Sequence, residues 1–241
     1  VTGSPADDVE PMPAVARQVF GARLPLAIRY VELLAGAGVE RGLIGPRERS
    51  RLWTRHVLNS ASIAGAFDLD VARGPADAGR PRRVVDLGSG AGLPGVPLAL
   101  ARPDLQVTLL EPLARRVSFL DEAIETLGLD IDVLRGRAED VSSAGWDVVV
   151  ARAVAPLERL LALAGRLVQA GGMLLAVKGR GAAAEIDAAR DEVRRWSTQP
   201  ADLLAFGEGE TGATVVRVVF DRPRSADAAR VGSAGAVRRA H

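Results

Sequence analysis

From Arg83 onward, short runs of β-branched and aliphatic residues alternate with stretches whose apolar positions recur at helical spacing. That alternation predicts an α/β domain with a doubly wound, mostly parallel sheet. Strands are predicted over 83–87, 105–110, 131–134, 147–151 and 173–177. Helices are predicted from near Pro94 and over 113–127, 156–168 and 182–196. Segments 203–206 and 214–220 are expected to close the sheet as an antiparallel pair. Two further helical stretches precede the first strand. In 13–36, Val15, Val19, Phe20, Leu24, Ile28, Val31 and Leu34 recur roughly at helical spacing, with Pro25 expected to break or kink the helix. In 47–67 the predicted buried side is Leu52, Trp53, Val57, Leu58, Ile63 and Phe67. A glycine-rich turn over 36–46 separates the two.

The resulting organisation is a disordered tail (1–13), a helical cap (14–69), a polar linker (70–82), the α/β domain (83–221) and an arginine-bearing, disordered tail (222–241). No internal repeat is evident.

The most informative stretch is 84–95, Val-Val-Asp-Leu-Gly-Ser-Gly-Ala-Gly-Leu-Pro-Gly. A strand ends at Asp86, Gly88, Gly90 and Gly92 follow at alternate positions, and Pro94 opens an apolar helical stretch. Glycine permits positive φ or a ligand lying against the backbone, and proline suits a first helical turn. This predicts a shelf of backbone N–H groups at the carboxyl edge of the sheet, where open α/β folds bind nucleotides. Residues 90–95 also match the G-x-G-x-x-G dinucleotide pattern, and a plain structural turn would look the same. Two carboxylates shift the reading. Asp86 can accept hydrogen bonds, through the loop or water, from a cationic amino-acid moiety, and it would repel a pyrophosphate. Glu111, ending the second predicted strand, stands where an acid accepts hydrogen bonds from ribose hydroxyls. A ribose with an α-amino acid and no phosphate is S-adenosylmethionine. The fold class predicted is therefore a class I S-adenosylmethionine-dependent methyltransferase, Rossmann-like, seven-stranded with an antiparallel edge, and carrying a small N-terminal helical cap.

Composition narrows the chemistry. The chain has 241 residues, 48% hydrophobic and 25% charged, with net charge +1. It has no cysteine, which excludes disulfides, a thiolate metal site and a cysteine nucleophile. The two histidines, His56 and His241, are far apart, and no metal is expected. The acidic start of the chain does not read as a signal peptide, and no apolar run approaches a membrane span; a cytoplasmic protein is expected. Nucleic-acid binding would need a local patch. Lys178 is the single lysine among arginines, which points to a task for that ammonium, with chance as the alternative.

Further candidates follow the later strands. Ala138 and Glu139 would read an adenine edge, against a plain turn into helix. Arg152 follows the fourth strand, beside the transferable methyl in this fold; it would position an acceptor or contact the cofactor or a phosphate, against a structural salt bridge. The proline-rich signature for exocyclic amines is missing there, cysteine chemistry is excluded, and one lysine cannot supply a ribose-methylating tetrad. A ring nitrogen with a free lone pair remains as acceptor. Arg115, Arg116, Arg135, Arg137, Lys178 and Arg180 would form a basic rim for phosphates, against a scattered surface set. His56 reads as a hydrogen-bonded core residue.

These stretches together resemble one family, the bacterial small-subunit ribosomal RNA guanine-N7 methyltransferases, formerly called glucose-inhibited division protein B. The matching segments are 55–60, the 86–97 loop, Glu111 through Leu120, 137–139, 152–155 and Lys178-Gly179, and the likeness covers about residues 24–220. The resemblance implies methyl transfer from S-adenosylmethionine to N7 of guanine 527 in the helix 18 loop of 16S rRNA; the sequence leaves open whether the RNA is naked or within the 30S subunit, and a monomer is expected. It implies cofactor contacts at Gly88, Leu93, Ala138, Glu139 and Arg152, with Glu111 holding the ribose. Asn59 stands where the family often has Asp, and 36–45 replaces a Trp-Asn…Asn-Leu-Thr segment. The rival readings are a small-molecule methyltransferase, a nucleotide-dependent oxidoreductase and a non-enzymatic RNA-binding module.

Overall fold

The computed structural model describes residues 9–69, 80–141, 145–152 and 154–222. The expectations for 1–8, for 70–79 of the linker, for Ala153 and for 223–241 fall outside these residues. Residues 9–13 do not behave as the disordered tail expected. Val9 and Met12 pack on the core, the Glu10 N–H donates to the Arg49 carbonyl at 3.1 Å, and the Glu10 carboxylate accepts the Thr54 N–H at 3.0 Å.

The cap begins with α1 (Val15–Phe20), a 3₁₀ turn (Gly21–Arg23) and α2 (Leu24–Leu33). The break expected at Pro25 falls just before it. Proline occupies the first turn of α2, where its missing N–H has no intrahelical partner to lose. Helix continues through a π turn, Leu34–Gly38, into the stretch expected to be a glycine turn. The interruption also rotates the apolar face. Phe20, Val31 and Leu34 are buried as expected, but Val15 is exposed, and Ala16, Ala27 and Tyr30 take core positions.

The second stretch is not one regular helix. It runs as a 3₁₀ segment (Pro46–Arg51), a π-helical segment (Leu52–Leu58), α3 (Asn59–Ala61) and a 3₁₀ end (Ser62–Phe67). The Ser62 hydroxyl donates to the Asn59 carbonyl at 2.9 Å, a side-chain bond that competes with the regular ladder. All six apolar positions predicted for its inner side are buried.

The sheet has seven strands in the order β3-β2-β1-β4-β5-β7-β6. They are β1 (Arg82–Leu87), β2 (Leu105–Glu111), β3 (Asp132–Arg135), β4 (Trp146–Arg152), β5 (Val168–Lys178), β6 (Asp202–Phe206) and β7 (Ala213–Val219). β1 to β5 pair in parallel, and β7 runs antiparallel to both β5 and β6. β5 starts well before its predicted boundary because Gly171 and Gly172 interrupt the apolar signal. The connecting helices are α4 (Gly95–Ala101), α5 (Ala114–Leu127), α6 (Leu157–Leu167), α7 (Ala182–Ala188) and α8 (Arg190–Trp196), the last two replacing one predicted helix.

Alternate strand residues point to opposite faces. Val84, Leu109 and Val150 face α4, α5 and the cap, whereas Val85, Leu110 and Val149 face α6 and α8. The cap thus shares one continuous core with the sheet. β1 lies between β2 and β4, whose connections cross opposite faces, so the carboxyl end of β1 is the topological switch point.

Candidate active site

The glycine loop leaves β1 at this switch point. Gly88, Gly90 and Gly92 all have positive φ, as the alternate spacing predicts. The expected shelf of N–H donors is corrected. Gly88 and Ser89 N–H donate to the Leu110 carbonyl, Gly92 and Leu93 N–H to the Ser89 carbonyl, Gly90 N–H to Glu111 Oε2 at 3.0 Å, and Gly95 N–H to Asp86 Oδ2 at 2.9 Å. A phosphate-binding loop needs such donors aimed outward. This loop turns them inward, which disfavours the dinucleotide reading and suits a ligand without phosphate.

Asp86 is fully buried, and its Oδ1 has no partner among the described residues. Burial, with the Glu111 charge adding to it, pushes its carboxyl up to about 7; the Gly95 N–H, the Ser89 hydroxyl and the Arg152 charge pull the other way. An orphaned buried oxygen fits a cationic group reached through the loop or by water. Glu111 is 1% exposed. Its Oε1 accepts the Leu113 N–H at 3.0 Å, and Arg116 lies 3.6 Å from Oε2. Each carboxylate oxygen has a second lone pair, and ribose hydroxyls would use those. Arg116, expected on the phosphate rim, therefore sits against Glu111. Ala138 is buried and Glu139 exposed on one short turn, Ala138–Asp140, following β3. Gly136 N–H ties that segment to the Glu111 carbonyl at 3.2 Å.

One residue under the loop was not foreseen. Tyr30 of α2 is fully buried, and its hydroxyl donates to the Ala91 carbonyl at 2.7 Å. A Cβ on Gly92 would lie 2.9 Å from that hydroxyl, so the third glycine is required by Tyr30 as well as by its φ of 94°. Tyr30 was hidden because it lies off the apolar spacing read for its helix.

Arg152, at the end of β4, reaches the cap. Nη1 donates to the His56 carbonyl at 3.1 Å and to Ser60 Oγ at 2.8 Å, and Nη2 meets His56 Nδ1 at 2.9 Å. A guanidinium only donates, so Nδ1 accepts and His56 carries its proton on Nε2. Nε2 then donates to Glu48 Oε2 at 2.8 Å. Burial is the main cause that lowers the His56 pKa, and the His56 hydrogen bond is the main cause that lowers that of Glu48. His56 is hydrogen-bonded on both ring nitrogens, as expected, but half-buried rather than in the core. Asn59 donates its amide to the Gly212 carbonyl, joining the cap to the β6–β7 end. Aspartate has no N–H for that bond.

Beside Arg152 opens a cavity of ≈ 710 Å³, walled by Val154, Pro156, Lys178, Gly179 and Glu185. The Lys178 side chain is only 8% exposed, with Nζ 2.6 Å from Glu185 Oε2 and 2.9 Å from the Ala155 carbonyl. Its ammonium is thus committed to an ion pair, and the expected open phosphate contact is corrected. Burying a lone ammonium is costly, so the chain supplies it a partner. Arg115, Arg135, Arg137 and Arg180 remain exposed. Arg55, 59% exposed, also lines the cavity and went unread as a candidate. Among the described residues, no helix is long and apolar enough to cross a membrane.

Residues 23–212 match the family described as rRNA small subunit methyltransferase G. The chain belongs to that family. A ribosomal RNA small subunit methyltransferase G from Kineococcus radiotolerans is 54% identical over 220 residues, covering 89% of this chain and 82% of that protein. Another from Nocardioides is 51% identical over 217 residues, covering 88% and 82%. The family resemblance seen in the motifs is therefore confirmed. Among solved structures, MtNAS in complex with MTA and tNA aligns with TM-score 0.55 at 17% identity, covering 86% of this chain and 76% of that one. The S-adenosylmethionine-dependent methyltransferase SibL aligns with TM-score 0.50 at 20% identity, covering 82% and 70%. These two show the same fold as this methyltransferase G family member.

Proposed function

We propose that this chain transfers a methyl group from S-adenosylmethionine to N7 of guanine 527 in the helix 18 loop of 16S rRNA. Its substrate is 16S rRNA, naked or within the 30S subunit, and the enzyme acts in the cytoplasm. The observation that carries the cofactor reading is the pairing at the switch point of an inward-turned glycine loop with the orphaned Asp86 oxygen. The RNA specificity rests on family membership.

S-adenosylmethionine supplies a methyl already activated on a sulfonium. When bound, its ribose would be held by Glu111 and its amino-acid end by Asp86 through the loop or by water, while Gly88 and Leu93 would line the loop and Ala138 and Glu139 would meet the adenine. Arg152 fixes the end of β4 against the cap and so holds one wall of the acceptor cavity. Guanine N7 has an in-plane lone pair and no proton to lose, so no general base is needed. Catalysis is alignment and exclusion of water. The exposed Arg115, Arg137 and Arg180 bind phosphates, while Arg116 and Lys178 position Glu111 and Glu185.

The test is label transfer from radiolabelled S-adenosylmethionine to 30S subunits lacking the modification, followed by chemical cleavage at 7-methylguanine. One cleavage at guanine 527 is expected. Cofactor binding without RNA labelling would move the reading to a small-molecule methyltransferase.

A further inference from the structure

We propose that Glu185 reads the Watson–Crick edge of the acceptor base and makes this site take guanine and refuse adenine. The inference rests on the functional reading above and adds the residue that sets base identity.

Three observations carry it. The cavity at the carboxyl ends of β4 and β5 adjoins the cofactor loop, because a Cβ on Gly88 would lie 3.0 Å from Val154 Cγ2, and Val154 also lines the cavity. Among the described lining residues, Glu185 is the one carboxylate. Its Oε2 is held by Lys178 Nζ at 2.6 Å and by the Leu157 N–H at 3.1 Å, whereas Oε1 makes no hydrogen bond among the described residues. The side chain is 37% exposed. One oxygen is thus anchored from two sides, and the other keeps both lone pairs for a ligand.

The chemistry of purines matches this arrangement. N7 and the N1/N2 edge lie on opposite sides of the base. A purine seated here with N7 toward the loop would turn N1 and N2 away from it, and Glu185 is the carboxylate on the cavity wall that could meet them. Guanine offers N1–H and N2–H donors to Oε1. Adenine offers a lone pair at N1, which a carboxylate oxygen repels, and it has no amino group at C2. A site built to accept hydrogen bonds rejects an analogue without the donors far better than apolar shape does.

The carboxylate also acts on the reaction. As N7 donates its lone pair to the methyl carbon, the carbon–sulfur bond breaks and sulfur leaves as a neutral thioether with the bonding pair. The positive charge passes to the purine, and no proton is released from N7. That charge makes N1–H a stronger donor, so its bond to Oε1 tightens in the transition state. Glu185 is therefore expected to affect kcat as well as KM.

The experiment compares 30S subunits with guanine or adenine at position 527, using radiolabelled S-adenosylmethionine and the full chain. Wild type is expected to label the guanine form with a large preference. Glu185→Gln is expected to lower kcat/KM on guanine about 100-fold and to shrink the preference at least about tenfold, because an amide pairs a donor and an acceptor with adenine. Lys178→Met leaves the carboxylate tethered by the Leu157 N–H alone, and it is expected to lose part of the preference, less than Glu185→Gln loses. An unchanged guanine-to-adenine ratio in Glu185→Gln overturns the proposal. If Glu185→Gln does not fold, wild type on subunits carrying inosine at this position decides it. Loss of the N2 amino group should then cost about tenfold or more, and full activity overturns the assignment. Failure of wild type on guanine removes the functional reading itself, and with it this inference.

Discussion

Arg152 donates to both the main-chain carbonyl and the ring Nδ1 of His56, at 3.1 and 2.9 Å, so one guanidinium clamps the end of β4 to the cap. The clamp requires a neutral His56. Protonation at Nδ1 would set an N–H against a guanidinium and forfeit the bond.

Stability should therefore depend on pH through this residue. The folded pKa of His56 is lowered, so the unfolded chain binds more protons in the window below the ordinary value of 6.5. The contribution is complete above that value and is lost as pH falls through the folded pKa. His56→Gln preserves an acceptor for Arg152 and a donor for Glu48 without titrating. It is expected to flatten this limb of a urea-midpoint profile, whereas His56→Ala should cost about 2–3 kcal/mol. Equal slopes in wild type and His56→Gln would show that the histidine does not control the clamp.

Asp86 has the opposite sign. Its folded pKa of about 7 lies above the ordinary 3.8, so its stabilising share is full below 3.8 and fades as pH rises through 7. A bound ammonium reverses the preference by favouring the carboxylate. S-adenosylmethionine affinity should then fall about tenfold per pH unit below 7, with proton release visible by calorimetry in two buffers. Asp86→Asn should bind weakly and without that dependence. A flat wild-type profile would place the amino group elsewhere.

Two glycines should fail in different ways. A Cβ on Gly95 would lie 2.3 Å from Leu109 Cδ2 and 2.8 Å from Asp86 Oδ2, so Gly95→Ala is expected to destabilise the fold by about 3 kcal/mol or more. A Cβ on Gly90 meets only the Gly88 carbonyl at 3.9 Å. Its positive φ strains any side chain by about 1–2 kcal/mol. Gly90→Val should therefore melt a few degrees below wild type, still folded, yet lose cofactor binding. Retained affinity would remove Gly90 from the site.

Tyr30→Phe removes the hydroxyl that holds the Ala91 carbonyl. A buried carbonyl left without its partner costs about 1–3 kcal/mol. The melting temperature should drop accordingly, and cofactor affinity should fall with it because the loop loses its support from below. An affinity equal to wild type would limit Tyr30 to a packing role.

Much of this was legible in the chain. The central parallel strands announce themselves because a strand covered on both faces reads as an unbroken apolar run; Val148, Val149 and Val150, all buried, illustrate it. The cofactor end was legible for a different reason: a loop that must turn with positive φ leaves glycines, and strand ends leave Asp86 and Glu111 next to it. What the chain did not disclose was pairing at a distance. Lys178 and Glu185 are seven residues apart, yet only the fold reveals that β5 and α7 bring them into one ion pair. Tyr30 and Ala91, or Arg152 and His56, lie further apart still. The irregular turns after Pro46 were also illegible, since they preserve the same buried set as a regular helix.

Because Tyr30, Leu34, Leu52 and Leu58 lie in the same interior as Val84, Leu109 and Phe119, the first third of the chain is no detachable adaptor. A deletion up to the start of β1 would strip an inner wall from the sheet and expose it to aggregation. New substrates would have to be acquired by altering exposed loops on a fixed scaffold, since exchanging the front end for another means rebuilding the interior beneath it.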